Sequence, residues 1–263
     1  YLLSSNNNTL VNNTVDSVLA NRLGIWLYSS INNTISDNTA LNSDRGIVLT
    51  YSSNNKIASN TASSNNNIGI WLSSSSSNTI AYNNASSSNI CSIYLYTSIG
   101  NSIANNTASS NKQYGIQLYS SSNNTIIDNT VSLNQKNGIY LWFSSNNNTI
   151  VNNSLSKNSC GIFATSSIAN TICHNNFIGN INQAYDTGAN RWDNGYPSGG
   201  NYWSDYVGLD RFKGPNQNLT GSDCFGDSPY TNISGVAGAH DSYPIYIDMT
   251  PPFSFVNQTN SYL

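Results

Sequence analysis

Seven small residues recur at nearly constant spacing: Gly24, Gly46, Gly69, Ser92, Gly115, Gly138 and Gly161. The interval is 22 once and 23 thereafter. A fixed period of this length marks stacked repeats and constrains the fold before any local propensity does. After each small residue the order is apolar, variable, apolar, as in Ile116-Gln117-Leu118. Such alternation is strand period, not helix period. A second apolar position follows in a short strand at Ile35, Ile57, Ile80, Ile103, Ile126, Ile150 and Ile172. No segment carries a helical stripe. The repeat predicts an all-β chain, a parallel β-helix of about eight coils of ~23 residues each. Leucine-rich repeats have a similar period, but their motif has more Leu positions and is missing.

Hydrophobic residues are 38% of the chain, and Asn and Ser are in excess. Low apolar content can signal disorder, but here the apolar residues hold a fixed phase. Charged residues are 8%, with a net charge of −3. Nucleic-acid binding needs a basic face, so it is not expected. No apolar run approaches the ~20 residues of a membrane span. The chain opens at Tyr1, as after removal of a signal peptide. Sequons start at Asn7, Asn12, Asn32, Asn84, Asn105, Asn123, Asn147, Asn152, Asn218, Asn232 and Asn257. They are glycosylation candidates, although an Asn/Ser/Thr-rich repeat makes sequons by chance. With few Cys and Lys they fit an extracellular or cell-surface protein. Cys91 and Cys160 share a phase three coils apart, beyond disulfide reach. Cys173 and Cys224 are the disulfide candidate.

Two polar columns accompany the repeat. Asn33, Asn55, Asn78, Asn101, Asn124, Asn148 and Asn170 share one phase; Asn38, Asn60, Asn83, Asn106, Asn129, Asn153 and Asn176 share another. Stacked amides can donate to and accept from the next coil, so these Asn read as structural. The first coil lacks its Gly-Ile, which leaves Tyr1, Leu2 and Leu3 at an uncovered strand edge. The repeat occupies 1–182. Residues 183–249, rich in Gly, Asp and aromatics, read as a cap over the apolar end. Residues 250–263, with Phe253 and Phe255, read as an extended tail or linker.

The repeat together with the run Trp192-Asp193-Asn194-Gly195-Tyr196-Pro197-Ser198-Gly199-Gly200-Asn201-Tyr202-Trp203-Ser204-Asp205-Tyr206 resembles the NosD-like family of right-handed parallel β-helix surface proteins of methanogenic archaea. Asp227-Ser228-Pro229-Tyr230 and Asp241-Ser242-Tyr243-Pro244 match later stretches of the family. The resemblance covers 1–249 and implies an exported, cell-surface β-helix. The family name implies copper delivery. Copper needs gathered soft ligands, and this chain has only Met249, His174 and His240 beside its cysteines, without ligand spacing.

Polysaccharide hydrolysis needs two carboxylates across the bond. The coils hold only Asp16, Asp37, Asp44 and Asp128. Asp37 and Asp128 share a phase four coils apart, and Asp44 has Arg45 beside it. Lys112, Lys136 and Lys157 lie at turns without an acidic cluster. No catalytic residues are predicted, and the expectation is a non-enzyme. In the cap, Asp205, Asp210, Asp223 and Asp227 on Gly-rich turns are candidates for structural calcium, with bonding to turn N–H groups as the plain alternative.

With Ile and Leu inward, residues between and after them point outward. Trp26, Trp71, Tyr94, Tyr140 and Phe163 form one column, with Val48 and Gln117 between them; Tyr28, Tyr96, Tyr119 and Trp142 lie in the next. A contiguous apolar patch marks an interface. The leading expectation is a non-enzymatic, self-assembling surface, sheath or filament subunit, with other copies of itself as partner. Its contacts would be the aromatic face, the first coil or the tail. The alternative is a carbohydrate-binding module whose flat aromatic face takes cell-surface polysaccharide. A polysaccharide lyase or hydrolase is the third reading.

Overall fold

The computed structural model describes residues 1–17, 22–235 and 238–247. The described chain is all strand and turn, and it coils into a parallel β-solenoid. Ten strands stack into the largest sheet. Its six-residue members include Leu23–Tyr28, Arg45–Thr50, Ile68–Ser73, Cys91–Tyr96, Tyr114–Tyr119, Asn137–Trp142 and Cys160–Thr165. An eight-stranded sheet runs from Thr9–Val11 to Thr171–Cys173. The third side carries short strands joined by single bridges such as Thr61↔Asn84 and Asn84↔Thr107. About nine coils result.

Register keeps like on like. Ile93 pairs with Ile116, and Leu95 with Leu118. Ile80 pairs with Ile57 on one side and Ile103 on the other. These inward columns are fully buried and form one continuous core. The recurrent small residue has a steric cause. A Cβ on Gly115 would lie 2.6 Å from the carbonyl oxygen of Gly138 in the next coil.

Both Asn columns are hydrogen-bonded ladders. The amide of Asn83 donates to Ile57 O at 2.9 Å and to Asn106 Oδ1 at 3.0 Å, and its backbone N–H donates to that same Oδ1 at 2.9 Å. Left-handed backbone falls not on the ladder Asn but one residue earlier, at Asn32, Asp37, Asn105, Asn123 and Asp128. The second ladder continues from Asn153 to Asn175, not to Asn176 as the period predicts. Phe143 is an extra residue after Trp142 and lengthens the ladder interval to 24; the turn from Asn158 to Gly161 is one residue shorter than that from Asn134 to Gly138, and it shortens the next interval to 22, which puts Asn175 on the ladder. A third ladder, Asn111, Asn134, Asn158 and Asn180, and a column of buried serines from Ser30 to Ser167 escaped the sequence pattern.

The cap closes the apolar end with stacked rings. Phe177 lies 4.2 Å from Trp203, and Trp203 lies 4.0 Å from Tyr230. Trp192 and Trp203 are 1% exposed. Their indole N–H groups donate to Asp186 and Asp241, both at 2.9 Å. The motif residues of the cap are thus accounted for by end closure. The Cys173–Cys224 bridge is not formed. Cys173 is buried at the end of a coil strand, whereas Cys224 sits in an exposed left-handed turn held by Asp210, and all four cysteines are free. Phe253, Phe255 and Asn257 lie outside the described residues.

Candidate functional site: an aromatic face

The outer surface of the ten-stranded sheet gathers the predicted aromatics. Each is placed by strand alternation, with its inward neighbours Ile and Leu locked in the core. Near the first coil, Tyr1, Trp26, Tyr28 and Tyr51 form a cluster with ring centroids 4.6 to 5.7 Å apart. A larger field spans Tyr94 and Tyr96 through Tyr114, Tyr119, Tyr140, Trp142, Phe143 and Phe163 to Tyr185. Trp71 stands between the two, covered by the Arg45 guanidinium 4.2 Å from its ring. Arg45 also pairs with Asp44 at 3.8 Å, and Asp44 accepts from Asn67. Val48 and Gln117 are buried under their aromatic neighbours.

The rings do not lie flat on the sheet. Tyr96–Tyr119 and Tyr119–Phe143 centroids are each 5.2 Å apart, with ring planes 15° and 8° from parallel. Two rings side by side in one plane could not approach so closely, so each turns its face toward the next coil. Stacking of this kind is favourable in its own right. It leaves uncovered faces at the stack ends: Tyr96 borders Ser73, and Phe143 borders the coil of Thr165. Phe143, Tyr96 and Trp142 are 54%, 41% and 40% exposed. Phe143, Tyr114 and Tyr185 belong to the face but were missed. Tyr185 continues the column of Phe163, Tyr114 stands just before Gly115 in the phase of Cys91 and so in neither named column, and Phe143 is signalled only by the 24-residue interval. Burial pushes the Tyr94 and Tyr140 phenols up to about 12, so both keep their protons as neutral hydroxyls.

The acidic residues of the cap go elsewhere. Asp210 accepts Cys224 N at 2.8 Å, Asp223 accepts Gly214 N at 2.9 Å, and Asp227 accepts Phe212 N at 2.9 Å. Asp205 accepts from Gln183, Tyr230 and Asn232. Among the described residues no three His, Cys, Asp or Glu side chains gather around one point. The sequon residues Asn7, Asn32, Asn123 and Asn147 are exposed on one corner, and Asn12, Asn105 and Asn152 on the next.

The coil geometry meets its counterpart in sequence. The pattern defining a family described as periplasmic copper-binding protein (NosD) matches residues 1–90 and 82–208. The chain belongs to the NosD family. No curated protein matches it. Among solved structures it is similar to the periplasmic alginate epimerase AlgG, at 20% identity over 64% of this chain and 47% of that one, TM-score 0.52. It is also similar to the Dettilon tailspike protein, at 18% identity over 68% of this chain and 40% of the other, TM-score 0.53. The DFA-IIIase of Arthrobacter chlorophenolicus A6 without its lid shares 14% identity over 64% of this chain and 54% of that chain, TM-score 0.53. At such identities the likeness shows the fold. The chain spans about half the length of these proteins or less.

These matches correct two expectations. The NosD description is of a periplasmic protein, not a filament subunit, and the solved neighbours include an epimerase and DFA-IIIase. A self-assembling, non-enzymatic filament subunit is therefore withdrawn as the leading reading, and so is the expectation that the chain is not an enzyme. The NosD family is described as periplasmic, a location outside the cytoplasm.

Copper, which the NosD description names, does not fit the donors gathered among the described residues. The Nε2 atom of His174 is engaged 2.9 Å from Ser198 O. The thiols of Cys91 and Cys160 are buried against the carbonyls of Ile93 and Ile162. Burial pushes the Cys160 thiol up to about 12, away from the thiolate that binds metal.

Proposed function

We propose that this NosD-family chain is a cell-surface or secreted β-helix protein that engages an extended polysaccharide along the outer surface of its ten-stranded sheet. The observation that carries the reading is the contiguous aromatic field from Tyr94 to Tyr185, with exposed rings at Tyr96, Trp142 and Phe143. Contiguous exposed apolar area of this kind marks a binding surface. The exposed edges of the stacked rings make an apolar strip along the axis against which sugar rings can lie. Neutral phenols and the hydroxyls of Ser73, Thr50 and Thr165 supply donors and acceptors beside them. Coils repeat every ~4.8 Å along the axis, a step comparable with one sugar residue. A chain lying along the axis therefore meets equivalent positions on successive coils.

Affinity electrophoresis through gels containing neutral or acidic polysaccharides tests this. Retardation of the wild type by at least one polymer is expected. It is lost in Trp142→Ala and Tyr119→Ala and kept in Tyr82→Ala, which alters an exposed ring on another corner. No retardation by any polymer, or equal retardation of all four proteins, overturns the reading. The retarding polymer is then assayed for product release, which tests turnover directly.

A further inference from the structure

Charge is unevenly distributed along this weakly charged chain. From Cys91 to Ile181 there are three lysines and one aspartate, a net +2, whereas the whole chain carries −3. The three cations, Lys112, Lys136 and Lys157, fall in three successive coils, in the turns that lead into Tyr114–Tyr119, Asn137–Trp142 and Cys160–Thr165. They therefore stand at the edge of the sheet where its strands begin, the edge of Tyr114, across the sheet from Tyr96, Trp142 and Phe143 at the strand ends. The one aspartate, Asp128, lies on a different corner, in the left-handed turn after Thr125–Ile127.

All three lysines are exposed, and none of them is in an ion pair among the described residues. Lys136 leans toward the face, with Nζ 5.5 Å from the Tyr114 ring centre and donating to Gln113 Oε1 at 3.2 Å. The rim is also notched. Four residues lead from Asn134 to Gly138 but three from Asn158 to Gly161. A recess of about 330 Å³ opens there, lined by Gln135, Lys157, Ser159 and Ile181 among others.

We propose that the polysaccharide taken by this face is acidic, with its carboxylate or sulfate groups meeting Lys112, Lys136 and Lys157 while its sugar rings meet the part of the aromatic field at the same edge, Tyr114 and Tyr140. The proposal rests on the polysaccharide reading above and names its substrate class. The three cations hold different positions in the turn, Lys112 and Lys136 after the ladder residues Asn111 and Asn134 and Lys157 just before Asn158, so they make a strip carrying one positive charge per coil rather than one aligned column. An overall negative protein otherwise repels a polyanion, so placing the positive charge beside the rings gives local attraction and register.

The test uses the full chain in gels containing polygalacturonate, dextran sulfate or hydroxyethyl cellulose. Stronger retardation by an acidic polymer than by the neutral one is expected, fading between about 0.01 M and about 0.15 M salt as the screening length falls from about 30 to about 8 Å. Lys112→Gln/Lys136→Gln/Lys157→Gln weakens acidic-polymer binding by about tenfold and leaves the melting temperature in place. The corresponding triple Arg variant restores binding. Preference for polygalacturonate identifies the carboxylate as the group recognised, and preference for dextran sulfate identifies sulfate. Equal binding of the neutral polymer, insensitive to salt and to the Gln variant but lost in Trp142→Ala, overturns the acidic class and leaves the binding face standing. Absence of retardation by every polymer overturns both.

Discussion

Asn201 and Asp241 close the second asparagine ladder across forty residues of sequence, the backbone N–H of Asn201 donating to Asp241 Oδ2 at 2.7 Å. Each ladder Asn donates toward the next coil, so the last one needs an acceptor with no further donor to place. A carboxylate meets that need. Asp241 accepts the Trp203 indole and the Tyr243 N–H as well, at 2.9 and 3.0 Å. Asp186 plays the same part for the first ladder, accepting from Asn190, Gly188 N and Trp192. The solenoid therefore ends where two aspartates absorb its donors.

The first prediction follows from the burial of Asp241. Loss of solvent pushes its carboxyl up from 3.8 to about 6, outweighing the three donors that favour the anion. A raised folded value means the stabilising contribution is complete below pH ~4 and is lost as pH rises through ~6, by about 3 kcal/mol. Asp241→Asn cannot titrate and supplies one acceptor oxygen where three N–H groups converge, so it melts earlier. Thermal melts from pH 4 to pH 7 are expected to show the gap between the two proteins narrowing as pH rises. A widening gap would mean that the hydrogen bonds, not burial, set the carboxyl.

A second prediction separates ladder Asn from turn Asn. Asn106 is buried, and its removal strands Asn83 N and takes the amide donor from Ile80 O, while Asn129 Oδ1 keeps the backbone N–H of residue 106. Each buried unmet group costs about 1–3 kcal/mol, so Asn106→Ala loses about 3 kcal/mol or more. Asn105 is exposed in left-handed backbone with φ of 55°. Asn105→Ala costs only about 1–2 kcal/mol, and Asn105→Gly restores most of it. Urea unfolding of the three variants checks the order.

These residues also show what the sequence could and could not carry. The inward Ile and Leu and two of the ladders repeat at a fixed interval, and parallel stacking makes interval and contact the same thing. Asn175 falls one residue before the position that the period predicts because the turn from Asn158 to Gly161 is one residue short. The third ladder was hidden because Ser43 and Ser88 replace Asn in two of its coils. Membership of the aromatic columns was legible from alternation. Ring orientation was not, since it depends on χ angles set by contacts between coils. The carboxylates of the cap depend on an irregular chain path, which no period describes.

A third prediction concerns the phenols of the face. Tyr94 and Tyr140 are held near 12 by burial, against an ordinary value of 10. The raised value means their contribution to stability persists below pH ~10 and is lost between ~10 and ~12. Absorbance titration of Tyr94→Phe/Tyr140→Phe against the wild type should show no phenolate missing near pH ~10.5 and two missing once the chain unfolds. Loss of signal at the lower pH would place both rings in water.

The fourth prediction turns on Phe143, which the repeat does not need. Without it the sequence would read Trp142-Ser144-Ser145, matching Tyr119-Ser120-Ser121 in the coil before. Both Phe143 and Ser144 are left-handed, with φ of 50° and 61°, whereas the corresponding turn of the preceding coil has only Ser120 so. Deleting Phe143 therefore exchanges a strained two-residue turn for the regular one. The stacking contact with Tyr119, worth about 0.5–1.5 kcal/mol, is lost in the exchange. A melting temperature within a few degrees of the wild type is expected. The same deletion uncovers Tyr119 and removes the outermost free ring face, so polysaccharide retardation should fall while the fold persists. If the deletion instead unfolds the chain, Phe143 serves the solenoid rather than the face. If it melts normally and binds unchanged, the glycan does not touch this end of the stack.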